Sequence, residues 1–195
     1  MSPGRTPDER ERHGAVPATS DQPAATLADL VEYSESFLDV HGVDSPRGFG
    51  ELREDWIFDY LVMLDLIGET DRAVTVLDFG CGLSTLKDVI EEQGRSNITY
   101  AGLDVSDRFI RASRRQPPDT TFYHRDVLAE GVSDLPDFDY VIMNGIFHSS
   151  LGHSDSEMQA YLESLVALMF TKARVGLAFN VMSTQVDWRR DDLFH

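Results

Sequence analysis

Four apolar runs in this sequence each end in a side chain able to grip a polar ligand. They are Asp78 in VTVLDFGCGLS (74–84), Asp104 in ITYAGLD (98–104), Asp126 in TTFYHRD (120–126) and Asn144 in FDYVIMN (138–144). After Asp78, Gly80 and Gly82 flank Cys81, a spacing that lets a ligand approach the backbone where a strand turns into a helix. Two chemistries compete for such a turn. A dinucleotide asks for G-x-G-x-x-G, with its pyrophosphate on the helix N-terminus and an acid about twenty residues further on. Gly80, Gly82 and Asp104 meet that pattern, but Thr85 stands in the third glycine position. Asp78 discriminates more sharply. A carboxylate just before the turn repels a pyrophosphate and suits a ligand that carries an ammonium and a sulfonium.

These residues need elements that bring them together. Residues 1–24 are rich in Pro, Ser, Thr, Arg and acids, which predicts a disordered N-terminal tail ahead of a single domain over 25–195. Residues 25–70 read as two helices. Leu27, Leu30, Val31, Phe37 and Leu38 recur at helical spacing before Gly42, and Leu52, Trp56, Tyr60, Met63 and Ile67 form a second stripe closed by Gly68.

An α/β core follows over 72–182. Its first strand leads into a helix marked by Leu86, Val89 and Ile90, and Ile98–Asp104 reads as the second strand. Ser106 caps a short helix that ends before Pro117-Pro118, and Thr120–Asp126 is the third strand. A polar loop leads to the fourth, Phe138–Asn144. Ser154 and Glu157 then fit a capping box ahead of a helix whose apolar face carries Met158, Tyr161, Leu162, Leu165 and Met169. Val175–Met182 is a fifth strand, and 183–195 a polar tail. Strands alternating with helices call for parallel pairing through right-handed crossovers, with helices on both faces of the sheet. Ligands of such sheets sit beyond the carboxyl ends of the strands, so the four strand-end residues share one rim.

Composition narrows the partners. With 17 basic and 34 acidic residues the formal charge is −17, which argues against a nucleic-acid backbone or an anionic membrane surface. Cys81 is the sole cysteine, so no internal disulfide points to an oxidising compartment. No apolar run reaches membrane-spanning length, the first residues do not read as a secretory signal, and the expected location is cytoplasmic.

The run Asp78-Phe79-Gly80-Cys81-Gly82 resembles the D/E-x-G-x-G motif of class I S-adenosylmethionine-dependent methyltransferases, the Rossmann-like methyltransferase superfamily. Asp104 resembles that family's ribose-binding acid, Asp126 its acceptor for the adenine amino group, and Phe138–Asn144 with Gly145 its fourth-strand motif. The resemblance runs from about Leu52 to Met182. It implies a parallel sheet of about five strands in the order 3-2-1-4-5, with helices on both faces and two N-terminal helices.

It also implies S-adenosyl-L-methionine as cofactor. Gly80, Cys81 and Gly82 would then face the donor, with Asp78 near its ammonium. Asp104 would take the ribose hydroxyls, Val105 the adenine face, Asp126 with the backbone of Val127 the adenine amino group, and Asn144 with Gly145 would line the donor pocket. The reaction implied is in-line methyl transfer to a small-molecule acceptor. The alternatives are a binding module or truncated form without turnover and, more remotely, a dinucleotide-dependent oxidoreductase.

Other constellations dissolve on inspection. Asp78–Gly80 (DFG) and His124–Asp126 (HRD) stand in the reverse of kinase order, and the position five beyond the HRD acid is Gly131. His148, His153 and Asp155 lack companions at metal-ligand spacing, so no metal site is expected. His148, just past the fourth strand, is the one candidate base for an acceptor that must lose a proton. By analogy with the family, Tyr33, Phe37, Phe49, Trp56, Ile146 and Phe147 border the acceptor, although most of these aromatics are more economically explained as core or helix-packing residues. The family's sheet continues beyond the fifth strand, whereas only 183–195 follow here. The fifth strand is therefore expected to present an apolar edge, covered by the Trp188/Phe194 tail or by a homodimer.

Overall fold

A computed structural model describes residues 27–43, 53–114, 120–150, 152–187, 189–190 and 192–195. The tail expected over 1–24, together with Phe49, Pro117, Pro118 and Trp188, lies outside them. Helices α1 (Leu27–His41) and α2 (Arg53–Leu64) precede β1 (Val74–Phe79), α3 (Thr85–Glu92), β2 (Ile98–Asp104), α4 (Asp107–Ser113) and β3 (Thr121–His124). The chain continues through α5 (Val127–Glu130), β4 (Phe138–Met143), α6 (Asp155–Phe170) and β5 (Ala173–Phe179). The five strands form one sheet, parallel as the strand–helix alternation requires, in the order β3-β2-β1-β4-β5 that the family resemblance implies.

Strand periodicity divides the core into two layers. Leu77, Val141 and Met143 point to one face and pack with Leu165 and Met169 of α6. Val76, Tyr140 and Ile142 point to the other, against Tyr60, Met63 and Leu64 of α2 and Leu86, Val89 and Ile90 of α3. Asp78 alternates onto this second face, and Tyr100 of β2 lies on the same side. Among the described residues no helix is long and apolar enough to cross a membrane.

Three boundaries differ from the sequence reading, each for a visible reason. β3 stops at His124 because Asp126 turns to cap α5, a one-turn helix inside what read as a polar loop. Its Oδ1 accepts from the amides of Leu128 and Ala129, while Glu130 accepts from the Asp126 amide. β5 begins at Ala173 and ends at Phe179, earlier than the span Val175–Met182, because Asn180 leaves the ladder to bond across the rim. α2 ends at Leu64, and a turn carries Asp65–Ile67 to Gly68. The caps of α4 and α6 are as read: Ser106 accepts from Phe109, and Ser154 and Glu157 form the reciprocal box.

β5 is an edge strand, with Val175 and Phe179 exposed. Among the described residues the tail does not pair with it. It returns to the loop after β4 instead: Ser149 bridges Leu193, the Phe194 amide donates to the His148 carbonyl, and Phe194 packs on the α6-side core. Phe147, proposed above as a border of the acceptor, is wholly buried between the rings of Tyr161 and Phe179 and belongs to that core. Phe147→Ala is expected to destabilise the fold by about 3–5 kcal/mol, read from urea denaturation with an unchanged m-value.

Candidate functional site

At the carboxyl end of β1, Asp78 is fully buried. Tyr100 donates its hydroxyl to Oδ2 at 2.9 Å, while Oδ1 has no hydrogen-bond partner. Burial, reinforced by the nearby charge of Asp104 and only partly offset by the Tyr100 bond, pushes the Asp78 carboxyl up to about 7. The neighbouring Tyr60, Tyr100 and Cys81 are likewise raised well above their ordinary values, chiefly by burial and next by the Asp78 charge. Cys81 is therefore a protonated, inert turn residue and no nucleophile.

Asp104, at the end of β2, holds two turns together. Its Oδ2 accepts from the Gly82 amide at 2.9 Å and its Oδ1 from the Ser106 amide at 2.8 Å. Burial raises this carboxyl too, against the pull of those amides. The charge of Asp104, which disfavours ionisation of the buried Asp78, makes the rim attractive to a cationic group and hostile to a pyrophosphate. Ser106 extends the tie outward by donating its hydroxyl to Glu35, and Arg108 pairs with Glu35 and Asp39, so α1 is fastened over this loop.

Beneath α1 lies an open cleft of about 420 Å³, lined by Ala28, Val31, Glu32 and Glu35 on one side and Val105 and Asp126 on the other. The fold thus places Val105 and Asp126 on a single wall, next to Asp104. Asp126 also serves as the α5 cap through Oδ1, and Val127 is buried with its side chain in the core.

Past β4, Asn144 and Gly145 are gripped by a residue that sequence reasoning missed. Asn180 accepts from the Gly145 amide at 2.8 Å and donates to Asn144 Oδ1 at 2.7 Å and to Asp59 of α2 at 3.1 Å. The Asn144 amide nitrogen is buried without a partner. His148 lies in the same loop. Burial lowers its pKa and the charge of Asp59 raises it, the first effect being the larger, so the imidazole is neutral at neutral pH.

The glycines of the rim are already in close contact with side chains. Gly80 (φ 71°) lies so near Ile146 that a Cβ there would come within 2.1 Å of Cδ1. Gly145 (φ 74°) carries the indole of Trp56, and a Cβ would meet its Cη2 at 2.6 Å. Tyr100, Asn180 and the α1 residues Ala28, Val31, Glu32 and Glu35 were not legible as site residues, although Tyr33 and Phe37 of the same helix were read as bordering the acceptor. Tyr100 and Asn180 matter only through cross-strand and rim neighbours, and α1 only through a fold-back over 70 residues away in sequence.

Residues 77–173 match a family model described as a methyltransferase domain. Among solved structures, the plantazolicin methyltransferase BpumL in complex with a pentazolic desmethylPZN analog and SAH is 14% identical, with a TM-score of 0.50 over 80% of this chain and 61% of that one. DesVI from Streptomyces venezuelae is 22% identical, with a TM-score of 0.47 over 70% of this chain and 59% of that one. The PH0226 protein from Pyrococcus horikoshii OT3 is 20% identical, with a TM-score of 0.49 over 76% and 65%. This chain therefore spans less than two thirds of the length of each, and the likeness at these identities is one of fold. No curated protein matches the chain.

The buried Asp78 makes stability depend on pH. Its folded-state value lies above the unfolded one of about 4. The folded protein therefore holds the proton more tightly, and that contribution is complete at low pH and lost as pH rises through about 7. Asp78→Asn, which keeps an acceptor for Tyr100, is expected to exceed the parent in stability at pH 8 by up to about 4 kcal/mol and to lose that advantage near pH 4. Urea denaturation at the two pH values checks this. An equal difference at both would show that Asp78 does not titrate in this range.

Proposed function

We propose that this chain, whose residues 77–173 match a methyltransferase domain, is a class I, Rossmann-like, S-adenosylmethionine-dependent methyltransferase that methylates a small-molecule acceptor. The observation that carries the reading is the pair of buried acids at the ends of β1 and β2, the first with a bare carboxylate oxygen and raised in pKa by the charge of the second. A donor bearing a positive charge relieves that repulsion, whereas a dinucleotide worsens it.

The donor fits the residues present. Asp78 Oδ1 is an acceptor without a partner, suited to an ammonium. Asp104 has a further lone pair on each oxygen for ribose hydroxyls, and Val105 and Asp126 line an open cleft beside it for the adenine. Asn144 and Gly145, with Gly80, Cys81 and Gly82, would border the remaining length. Bound there, S-adenosylmethionine supplies a methyl group already activated by its sulfonium. The chain's own task is then alignment and exclusion of water, which the two-layer packing beneath the rim and α1 above it favour.

His148 is the base for an acceptor that must lose a proton, its imidazole kept neutral by burial and so able to receive one. A small acceptor accords with the net charge of −17, which disfavours polyanionic substrates, and with the plantazolicin methyltransferase among the fold's relatives.

Calorimetric titration with S-adenosylhomocysteine and with NAD tests the donor. The first is expected to bind and the second not. Binding of NAD alone would overturn the reading, and binding of neither would favour a module without turnover. Asp78→Asn is expected to weaken S-adenosylhomocysteine at least about tenfold at pH 8, a loss on the order of one charge-assisted hydrogen bond. Once an acceptor is in hand, His148→Ala should lower turnover by about a hundredfold while leaving donor affinity intact. Unchanged turnover would remove His148 from the reaction.

A further inference from the structure

The rim is open at one end and filled at the other. Below α1 the cleft beside Val105 and Asp126 is free, but the indole of Trp56 lies on Gly145 and Ile146 lies on Gly80. Beneath this filled end are two buried polar atoms without partners, an acceptor (Asp78 Oδ1) and a donor (Asn144 Nδ2). That pair is complementary to the ammonium and carboxylate of an α-amino acid. Resting on the donor-site reading above, we propose that the first turns of α2 are a cover. Trp56 occupies the place of the donor's amino-acid end and must lift from Gly145 before that end can enter.

Packing says which part of α2 can move. Its second half is anchored, with Tyr60, Met63 and Leu64 buried in the core under the sheet face. Trp56 and Asp59 precede that anchor and are only partly buried, and Phe58, on the outer side, is exposed. Across the rim the first half is held by the hydrogen bond from Asn180 to Asp59, the same Asn180 that grips Asn144 and Gly145. Entry of the amino-acid end therefore competes with the Asn180–Asp59 hydrogen bond and with the packing of the indole. The adenosine end competes with neither. Adenosine binds to the closed form, whereas the complete donor selects the open one, and its apparent affinity is reduced by the fraction of molecules that are open.

The experiment compares adenosine, which lacks the amino-acid end, with S-adenosylhomocysteine, which has it. The chain has two tryptophans, so in a Trp188→Phe protein Trp56 is the only indole. Its emission is expected to change with S-adenosylhomocysteine and to stay constant with adenosine. Constant emission with both ligands bound would overturn the cover while leaving the donor reading standing. By calorimetry, Trp56→Ala is expected to tighten S-adenosylhomocysteine about tenfold, with no change for adenosine. Asp59→Ala, with the indole in place, should speed S-adenosylhomocysteine association. If Trp56→Ala weakens S-adenosylhomocysteine selectively, Trp56 is a fixed wall and the proposal fails. Should the alanine variant not fold, the fluorescence comparison decides by itself. If the Trp188→Phe protein and the folded variants bind neither ligand, the donor site itself is wrong, and the cover goes with it.

Discussion

The arrangement of the rim depends on one carboxylate. Asp104 accepts an amide hydrogen bond from each side, from Gly82 in the turn after β1 and from Ser106 in the loop after β2. The backbone of the turn after β1 reaches β2, with the Gly80 and Cys81 amides both donating to the Leu103 carbonyl, and the Asp104 side chain carries that connection on to the loop after β2. Ser106, fixed by that bond, caps α4 and passes the connection to Glu35 of α1. A chain of hydrogen bonds thus runs from the glycine turn to the helix that walls the cleft. Charge-assisted bonds of this kind are stronger than neutral ones, and here they work in a buried setting.

That solution conflicts with a stable interior. Asp78 and Asp104 are both buried, the charge of Asp104 helps to raise the pKa of Asp78, and Asp78 Oδ1, Ser84 Oγ and Asn144 Nδ2 lack hydrogen-bond partners among the described residues. Ser84 adds backbone strain, as a side-chain-bearing residue in the left-handed region at φ 64°. An interior selected for stability alone would neutralise or satisfy these groups. They cluster where β1 turns into α3 and where β4 ends. The remainder of the sheet carries well-packed apolar layers. Local instability placed where a charged ligand would relieve it is the physical signature of a binding site.

The two N-terminal helices treat that site differently. α1 is held by polar contacts to the loop after β2 and leaves a cleft beneath it. α2 is held by apolar burial of its second half and by the Asn180 bridge near its start, and it brings Trp56 down on Gly145. The same pair of helices therefore leaves a cleft beside Val105 and Asp126 and makes contact at the opposite end of the rim. Phe147, which by position in sequence resembled a border of the acceptor, was instead drawn inward between Tyr161 and Phe179, because its ring completes the α6-side layer.

The strand order came with the family resemblance, whereas the sequence's own patterns determined the parallel α/β sheet, the caps at Ser106 and Ser154, and the placement of Asp78, Asp104, Asp126 and Asn144 at or just past the ends of their strands. Those are local matters: alternation, apolar runs and capping residues act over a few neighbours and survive being read in one dimension. Tertiary structure decided the rest. It ended β3 early by turning Asp126 into the α5 cap, ended β5 early by sending Asn180 across the rim, and set Tyr100 against Asp78 from the adjacent strand. It also pressed Trp56 onto Gly145. Each is a contact between residues far apart in the chain, whose partners are chosen by packing and by the need to satisfy buried polar groups, and no periodicity records that choice.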